Sequence, residues 1–140
     1  MPVLEFLERA AGELRILLDQ AGSPERTGIC LDTCHLLAAG YEFRDPASFG
    51  ALRAEMGRVL GLTTVGWFHL NDSKVALGRR VDRHAHIGRG EIGAAPFRYF
   101  LTDPIFRRVP MVLETPKEGN ADRRNLALLR RLSRLGVQPV

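Results

Sequence analysis

The chain has 140 residues, 20 Lys+Arg against 16 Asp+Glu for a formal charge of +4 at pH 7, and 45% hydrophobic residues. Such a composition supplies one globular core and excludes a disordered chain, while so mild a basic excess permits nucleic acid as a partner without requiring it. The length excludes a closed barrel of eight βα units, which takes at least about 200 residues, and no apolar run approaches the roughly 18 residues of a membrane span.

The N-terminal stretch intersperses Glu and Arg among its apolar residues, which is not the pattern of a leader peptide. Cys30 and Cys34 share one short segment and cannot staple distant parts of the chain, which suits a reducing compartment. The expectation is a cytoplasmic protein with no membrane partner.

In chain order, Leu7, Ala10, Ala11, Leu14, Leu17, Leu18 and Ala21 recur at three- and four-residue steps and predict an amphipathic helix from Leu4, ended by Gly22, Ser23 and Pro24. Thr27 to Asp32 reads as a buried strand ending in an acid. Asp45 and Pro46 make an N-cap and first residue for a second helix, which carries Phe49, Leu52, Met56, Val59 and Leu60 and closes at Gly61. Thr63 to His69 is a second strand, again finishing on a chemically capable residue.

Asn71 to Gly93 has no clear periodicity and is longer than the usual connection inside a domain, the mark of a functional or disordered loop. Ala94 to Leu101 predicts a short helix, Val109 to Glu114 a third strand ending in an acid, and Asn120 to Leu135 a last helix. In that helix Leu128, Leu129, Leu132 and Leu135 form the apolar side, and its arginines form a solvated face. Alternating helices and near-continuous apolar strands predict an α/β fold with a parallel sheet, a single domain over residues 1–140.

Each of the three strands ends in a residue able to bind a metal: Asp32, His69 and Glu114. In parallel βα architectures the carboxyl ends of the strands share one surface, so three separate segments deliver ligands together. Any one of these acids alone is as well explained as a cap or turn residue; the three together are not. Asp32 and His35 lie three residues apart at the turn leaving the first strand, and Asp82 and His84 two apart within the long loop. Oxygen and imidazole donors without a Cys pair suit a hydrolytic zinc or manganese site.

Cys34 reads as a fourth donor or as inert packing, and His86 as a ligand, a substrate contact or an ordinary loop histidine. Asp72 and Ser73 are candidates to orient the ligands, or else turn residues after a strand. Lys74, Arg79, Arg83 and Arg89 sit in a Gly-rich basic stretch suited to phosphate contacts or merely to solvent.

DTCH at Asp32 to His35, AAGY at Ala38 to Tyr41, HLNDSK at His69 to Lys74, VDRH at Val81 to His84, GRGEIG at Gly88 to Gly93 and LET at Leu113 to Thr115 resemble, in order and spacing, the endonuclease IV family. DTCH with VDRH is the specific part, since related sugar isomerase barrels share strand ends like HLND. The resemblance implies the C-terminal portion of a TIM-type (β/α)8 barrel, about three βα units and a preceding helix. It further implies a zinc-dependent apurinic/apyrimidinic endonuclease of base excision repair.

Carried over residue by residue, His35, Asp82 and His84 resemble the protein ligands of one zinc, and Asp32, His69 and Glu114 most of the set around a second. The family holds three zincs, and its remaining ligands, a glutamate and two histidines, lie on earlier strands. Hence at most two zincs and weak or absent cleavage are expected of this chain alone. The reaction implied is hydrolysis 5′ to an abasic site in duplex DNA, leaving a 3′-hydroxyl and a 5′-deoxyribose phosphate, together with trimming of blocked 3′ ends. No catalytic group beyond the ligands is implied, because zinc lowers the pKa of a bound water to about 7.

Lys74, Arg79, Arg83 and Arg89 are then the DNA-contact candidates. Two alternatives remain: a sugar isomerase or epimerase using one divalent metal, and an inactive fragment kept as a binding module. A partial barrel is also expected to expose strand edges that invite self-association.

Overall fold

The computed structural model describes residues 3–135, with side chains described from Ala10 onward; the expected contacts of Leu4 and Leu7 lie outside the described side chains. The elements in order are α1 (Val3–Ala21), β1 (Ile29–Asp32), α2 (Thr33–Ala39), α3 (Pro46–Val59), β2 (Val65–His69), β3 (Asp72–Ser73), β4 (His84–Ala85), α4 (Phe97–Thr102), β5 (Met111–Val112) and α5 (Ala121–Arg134). Short 3-10 turns at Leu62–Thr64 and Phe106–Arg108 lead into β2 and toward β5. No helix among the described residues is long and apolar enough to cross a membrane.

β1, β2 and β5 form one parallel sheet in the order β1-β2-β5, with Asp32 opposite His69 and His69 opposite Val112. One face of that sheet packs under helices. Phe68 of β2 meets Phe100 of α4 at 5.6 Å and Phe106 at 5.0 Å between ring centroids, both edge-on. Phe43 and Phe49 complete the cluster against Phe100 at 5.4 and 5.0 Å. Each such pair contributes about 0.5–1.5 kcal/mol beyond the area it buries. This cluster fixes the height of the strands, and therefore where their carboxyl ends emerge.

α3 starts as its sequence dictates, with Pro46 in the first turn and a capping box in which Ser48 N–H donates to Asp45 and the Ser48 hydroxyl accepts from Asp45 N–H. Four local expectations change. α2 stands where a turn was expected: Asp32 Oδ1 accepts from Cys34 N–H at 2.8 Å and His35 N–H at 3.2 Å, so the acid ending β1 is also the N-cap of a seven-residue helix closed by Gly40 at φ 102°. The helix is short and opens on Thr33 and Cys34, both weak helix formers, so periodicity does not reveal it.

Second, the long loop is not featureless, because β3 and β4 pair antiparallel with Ser73 opposite His84. Third, the strands are shorter than their apolar runs, β5 being Met111–Val112 alone. Fourth, the amphipathic faces are only partly covered: Leu14 and Leu17 of α1 and Leu135 after α5 are exposed, as is Trp67 on the sheet face turned away from the phenylalanine cluster.

Candidate metal centre

The site lies where β1, β2 and β5 end. Asp32 leaves β1 buried, with Oδ1 committed to capping α2 and Oδ2 turned toward His69 Nδ1 at 3.6 Å and His84 Nε2 at 3.7 Å. Glu114, two residues beyond β5, brings Oε2 to 3.0 Å from His69 Nδ1. Asp32, His69 and Glu114 can thus offer ligand atoms all within 4.8 Å of one another.

The second group is assembled by the loop. Gly78 N–H and Arg80 N–H donate to the carbonyls of Leu37 and Ala38 at 2.9 Å each, in the last turn of α2, where the Leu37 carbonyl also accepts the N–H of Gly40. This stitches the loop to α2 and brings Asp82 over His35. Asp82 then faces two imidazoles, with Oδ2 at 3.0 Å from His35 Nε2 and Oδ1 at 2.9 Å from His84 Nε2. His35, Asp82 and His84 form a further cluster of metal-ligand spacing.

Electrostatics favours the charged forms of His35 and Asp82. Partial burial lowers the pKa of His35, but the Asp82 hydrogen bond and the charges of Asp32, Asp82 and Glu114 outweigh it and the net shift is upward. The hydrogen bond from His35 in turn draws Asp82 below the ordinary carboxylate range. His84 shows most clearly what the site could hold. Its Nδ1 lies 2.9 Å from the carbonyl of Glu114, which can only accept, so the proton of a neutral ring sits on Nδ1 and Nε2 presents a lone pair. That Nε2 is buried with no hydrogen-bond partner and faces carboxylate oxygens. A cation held between that lone pair and the carboxylates would satisfy all of them, so the residues present fit a metal.

The residue that orients the ligands is one the sequence did not single out. Asn71, fully buried, donates from Nδ2 to Asp32 Oδ2 at 2.9 Å and accepts the backbone N–H of Glu114 on Oδ1 at 2.8 Å, tying β1, β2 and the end of β5 together. Thr33 secures Asn71 in turn, its hydroxyl donating to Asn71 O and accepting Asn71 N–H. The signal available was a polar residue directly after an apolar strand, between two residues already marked.

Asp72 and Ser73, expected to orient ligands, are occupied otherwise. The buried carboxylate of Asp72 accepts the N–H groups of Ser73, Gly88, Gly90 and Ile92, which folds the GRGEIG segment into one shape. A Cβ on Gly90 would stand 2.3 Å from Ser73 O, so only glycine fits there. The Ser73 hydroxyl exchanges hydrogen bonds with the backbone of Val75.

Cys34 is fully buried, with Sγ 3.6 Å from Arg83 O and 3.8 Å from Asp82 Oδ1, and burial pushes its thiol up. Its Sγ also groups with Asp32 and His84 at metal-ligand spacing. Lys74, Arg79, Arg83 and Arg89 are all exposed. Lys74 N–H donates to Arg83 O at 2.8 Å, which joins two of them across the β3–β4 ladder. His86 belongs to none of the metal-ligand groups; its Nδ1 lies 3.1 Å from Asn125 Nδ2 of α5.

Comparison with known proteins follows this geometry. The family described as Xylose isomerase-like TIM barrel matches residues 5–132. The chain is 55% identical over 113 residues to "Probable endonuclease 4" of Chloroflexus aggregans, covering 79% of this chain and 40% of that protein. To "Probable endonuclease 4" of Trichlorobacter lovleyi it is 48% identical over 128 residues, covering 90% of this chain and 46% of the relative. The crystal structure of endonuclease IV from Thermus thermophilus superposes with a TM-score of 0.74 at 35% identity, over 89% of this chain and 44% of that one. The chain therefore spans less than half the length of these relatives, and its parallel sheet with helices is part of such a barrel.

Proposed function

Because the chain belongs to the xylose isomerase-like TIM barrel family, and because its similar relatives carry the name endonuclease 4, we propose that it is part of a zinc-dependent apurinic/apyrimidinic endonuclease. The observation that carries the metal part of this reading is the buried, partnerless Nε2 of His84 between Asp32 and Asp82. His35, Asp82 and His84 would hold one zinc, and Asp32, His69 and Glu114 most of the shell of a second. Bound zinc would supply Lewis-acid polarisation of a phosphoryl oxygen and an acidified water at neutral pH.

The chain's own residues do the positioning. Asn71 holds the free oxygen of Asp32 and the backbone of Glu114 in fixed relation, so that the strand-end ligands keep their spacing. The carbonyl of Glu114 fixes the ring of His84 with Nε2 inward. Lys74 and Arg83, exposed together on the rim, would contact the phosphates of duplex DNA on either side of a lesion. The substrate would be an abasic site, whose baseless sugar is cheap to extrude because little stacking is lost. The products would be a 3′-hydroxyl and a 5′-deoxyribose phosphate, and blocked 3′ ends are the second substrate class.

Two triads are present, and the third set of family ligands is not in this sequence. The isolated chain is therefore expected to bind two zincs and to nick an abasic duplex weakly or not at all. Calorimetric zinc titration with a nicking assay on the same preparation tests this. A count of zero would remove the metal reading, and robust nicking would remove the claim that the chain is insufficient. A count of one would favour the runner-up, a single-metal sugar isomerase or epimerase of the same superfamily.

Self-association is proposed on a separate observation: β1 and β5 are the outer strands of the sheet, and Cys30 and Trp67 on its uncovered face are exposed. Size-exclusion chromatography returning a clean monomer at micromolar concentration would sink it.

A further inference from the structure

α5 carries a row of arginines that the sequence assigns to a solvated face, and the exposure of Arg123, Arg124, Arg130, Arg131 and Arg134 agrees. One of them also borders a cavity. Arg124, in the first turns of α5, lines a small cavity with Arg89 of the GRGEIG segment and with His86, Ile87, Asn125 and Leu128. The cavity measures about 120 Å³, well below the ≈ 300 Å³ lower end of pockets that take drug-sized ligands, and so suited to a small group. Among the described residues no hydrogen bond or ion pair engages the side chain of Arg89 or of Arg124.

The buried amide of Asn125 decides how His86 faces this cavity. Asn125 Oδ1 accepts the backbone N–H of Ile87 at 3.1 Å, so its Nδ2 is the donor, to Thr115 Oγ1 at 3.0 Å and to His86 Nδ1 at 3.1 Å. With Nδ1 accepting, the neutral imidazole carries its proton on Nε2. The facing acid is Glu118, whose Oε2 stands 4.0 Å from that Nε2 on a side chain that is 73% exposed. Two exposed arginines, whose side chains have no hydrogen bond or ion pair among the described residues, and an imidazole N–H thus line one small cavity, with an exposed carboxylate as the local competitor.

We propose that His86, Arg89 and Arg124 form an anion subsite, separate from the metal-ligand groups, that takes a phosphate of a nucleic-acid strand. The subsite rests on the endonuclease reading for the identity of the strand, but its chemistry rests on these side chains alone. Its position supports a strand that carries phosphates in series. His86 lies two residues beyond His84, roughly 7 Å along an extended chain. Thr115, held by Asn125, directly follows Glu114. One backbone segment therefore borders both the metal-ligand groups and the cavity. Asp72 keeps Arg89 in place by fixing the backbone on both sides of it, at Gly88 and Gly90.

The test uses the metal-free, 15N-labelled full chain with inorganic phosphate as probe, read by the His86 ring and arginine side-chain resonances. Phosphate is expected to shift His86 Nε2. Arg124→Glu should weaken its binding about tenfold or more, the worth of one charge-assisted hydrogen bond, while Glu118→Gln strengthens it. Arg131→Glu makes the same charge change elsewhere on α5 and should leave binding unchanged.

A second arm measures binding of a zinc-loaded chain to a duplex with a stable abasic analogue, where Arg124→Glu should lower the salt slope by about one relative to Arg131→Glu. No phosphate effect at His86, or equal losses from Arg124→Glu and Arg131→Glu in both arms, overturns the subsite even when the duplex binds. A phosphate effect that follows the variants, with no duplex binding at all, upholds the subsite and removes the endonuclease reading instead.

Discussion

The two candidate metal triads are built by opposite means. Asp32, His69 and Glu114 issue from the ends of the sheet, and register alone sets Asp32 opposite His69. Asp32 and His69 are sheltered there, their side chains 4% and 26% exposed, while Glu114, two residues beyond β5, is 50% exposed. His35 and Asp82 are 57% and 56% exposed and depend on a loop tied to α2 by a few backbone hydrogen bonds. A sheet fixes ligand atoms before any metal arrives, whereas a loop yields ligands that settle around the metal. The first triad should therefore be rigid and the second adjustable, joined through His84, whose Nε2 lies near acids of both.

The sharpest way to break this contrast is His84→Ala. It should reduce the zinc count of the chain from two to one by calorimetry, with the strand-end triad retained; loss of both ions would make the two triads a single unit.

A smaller effect is expected from Asn71→Ala, which removes the group that orients Asp32 and Glu114. The strand-end site should lose ten- to a hundredfold in zinc affinity, in line with the loss of a group that orients metal ligands, and the loop site should hold. Chelator competition resolves the two, with a thermal melt to show that the variant folds. Equal losses at both sites would contradict the separate origins argued above.

The loop triad should also respond to pH through His35, whose folded pKa is raised. Without metal, the stability its proton contributes is present below the ordinary histidine value and is lost as pH rises through the raised one. Zinc requires the neutral ring, so affinity at this triad should climb by up to about tenfold per pH unit and level off above that raised pKa. A pH-independent affinity, measured with His35→Gln as reference, would remove His35 from the ligand set.

The smallest change is expected from Cys34→Ser. With its thiol pushed up by burial, Cys34 is a poor source of thiolate, and zinc affinities should stay within about twofold. A larger drop would place Cys34 with Asp32 and His84 as a third ligand group.

Much of this site was legible in the sequence because its candidate ligands sit at the ends of apolar strands, and a strand announces itself locally by its run of β-branched and aromatic residues. The motifs put Asp32, His35, His69, Asp82, His84 and Glu114 at strand ends and in the turns beyond them, and there the structure gathers them. What escaped was short or remote. α2 has seven residues and too few turns to display a period, and β3 and β4 are two residues each, built from Asp, Ser, His and Ala. Asp72 looked like a ligand-orienting residue because it follows His69 so closely, yet its partners are the amides 16, 18 and 20 positions further on.

The sequence by itself determined the alternation of helices and strands, the chemistry of the donor atoms and the family resemblance, all of which depend on residue type and local spacing. Tertiary structure alone decided which donors meet. Asn71 joins Asp32 across 39 positions and Glu114 across 43. Arg124, exposed on α5 as its sequence suggests, also borders a cavity with His86, because α5 packs where Asn125 can reach His86, 39 residues away. Such pairings follow from the height at which the phenylalanine cluster holds the strands and from the loop's hydrogen bonds to α2. A local pattern carries no information about either.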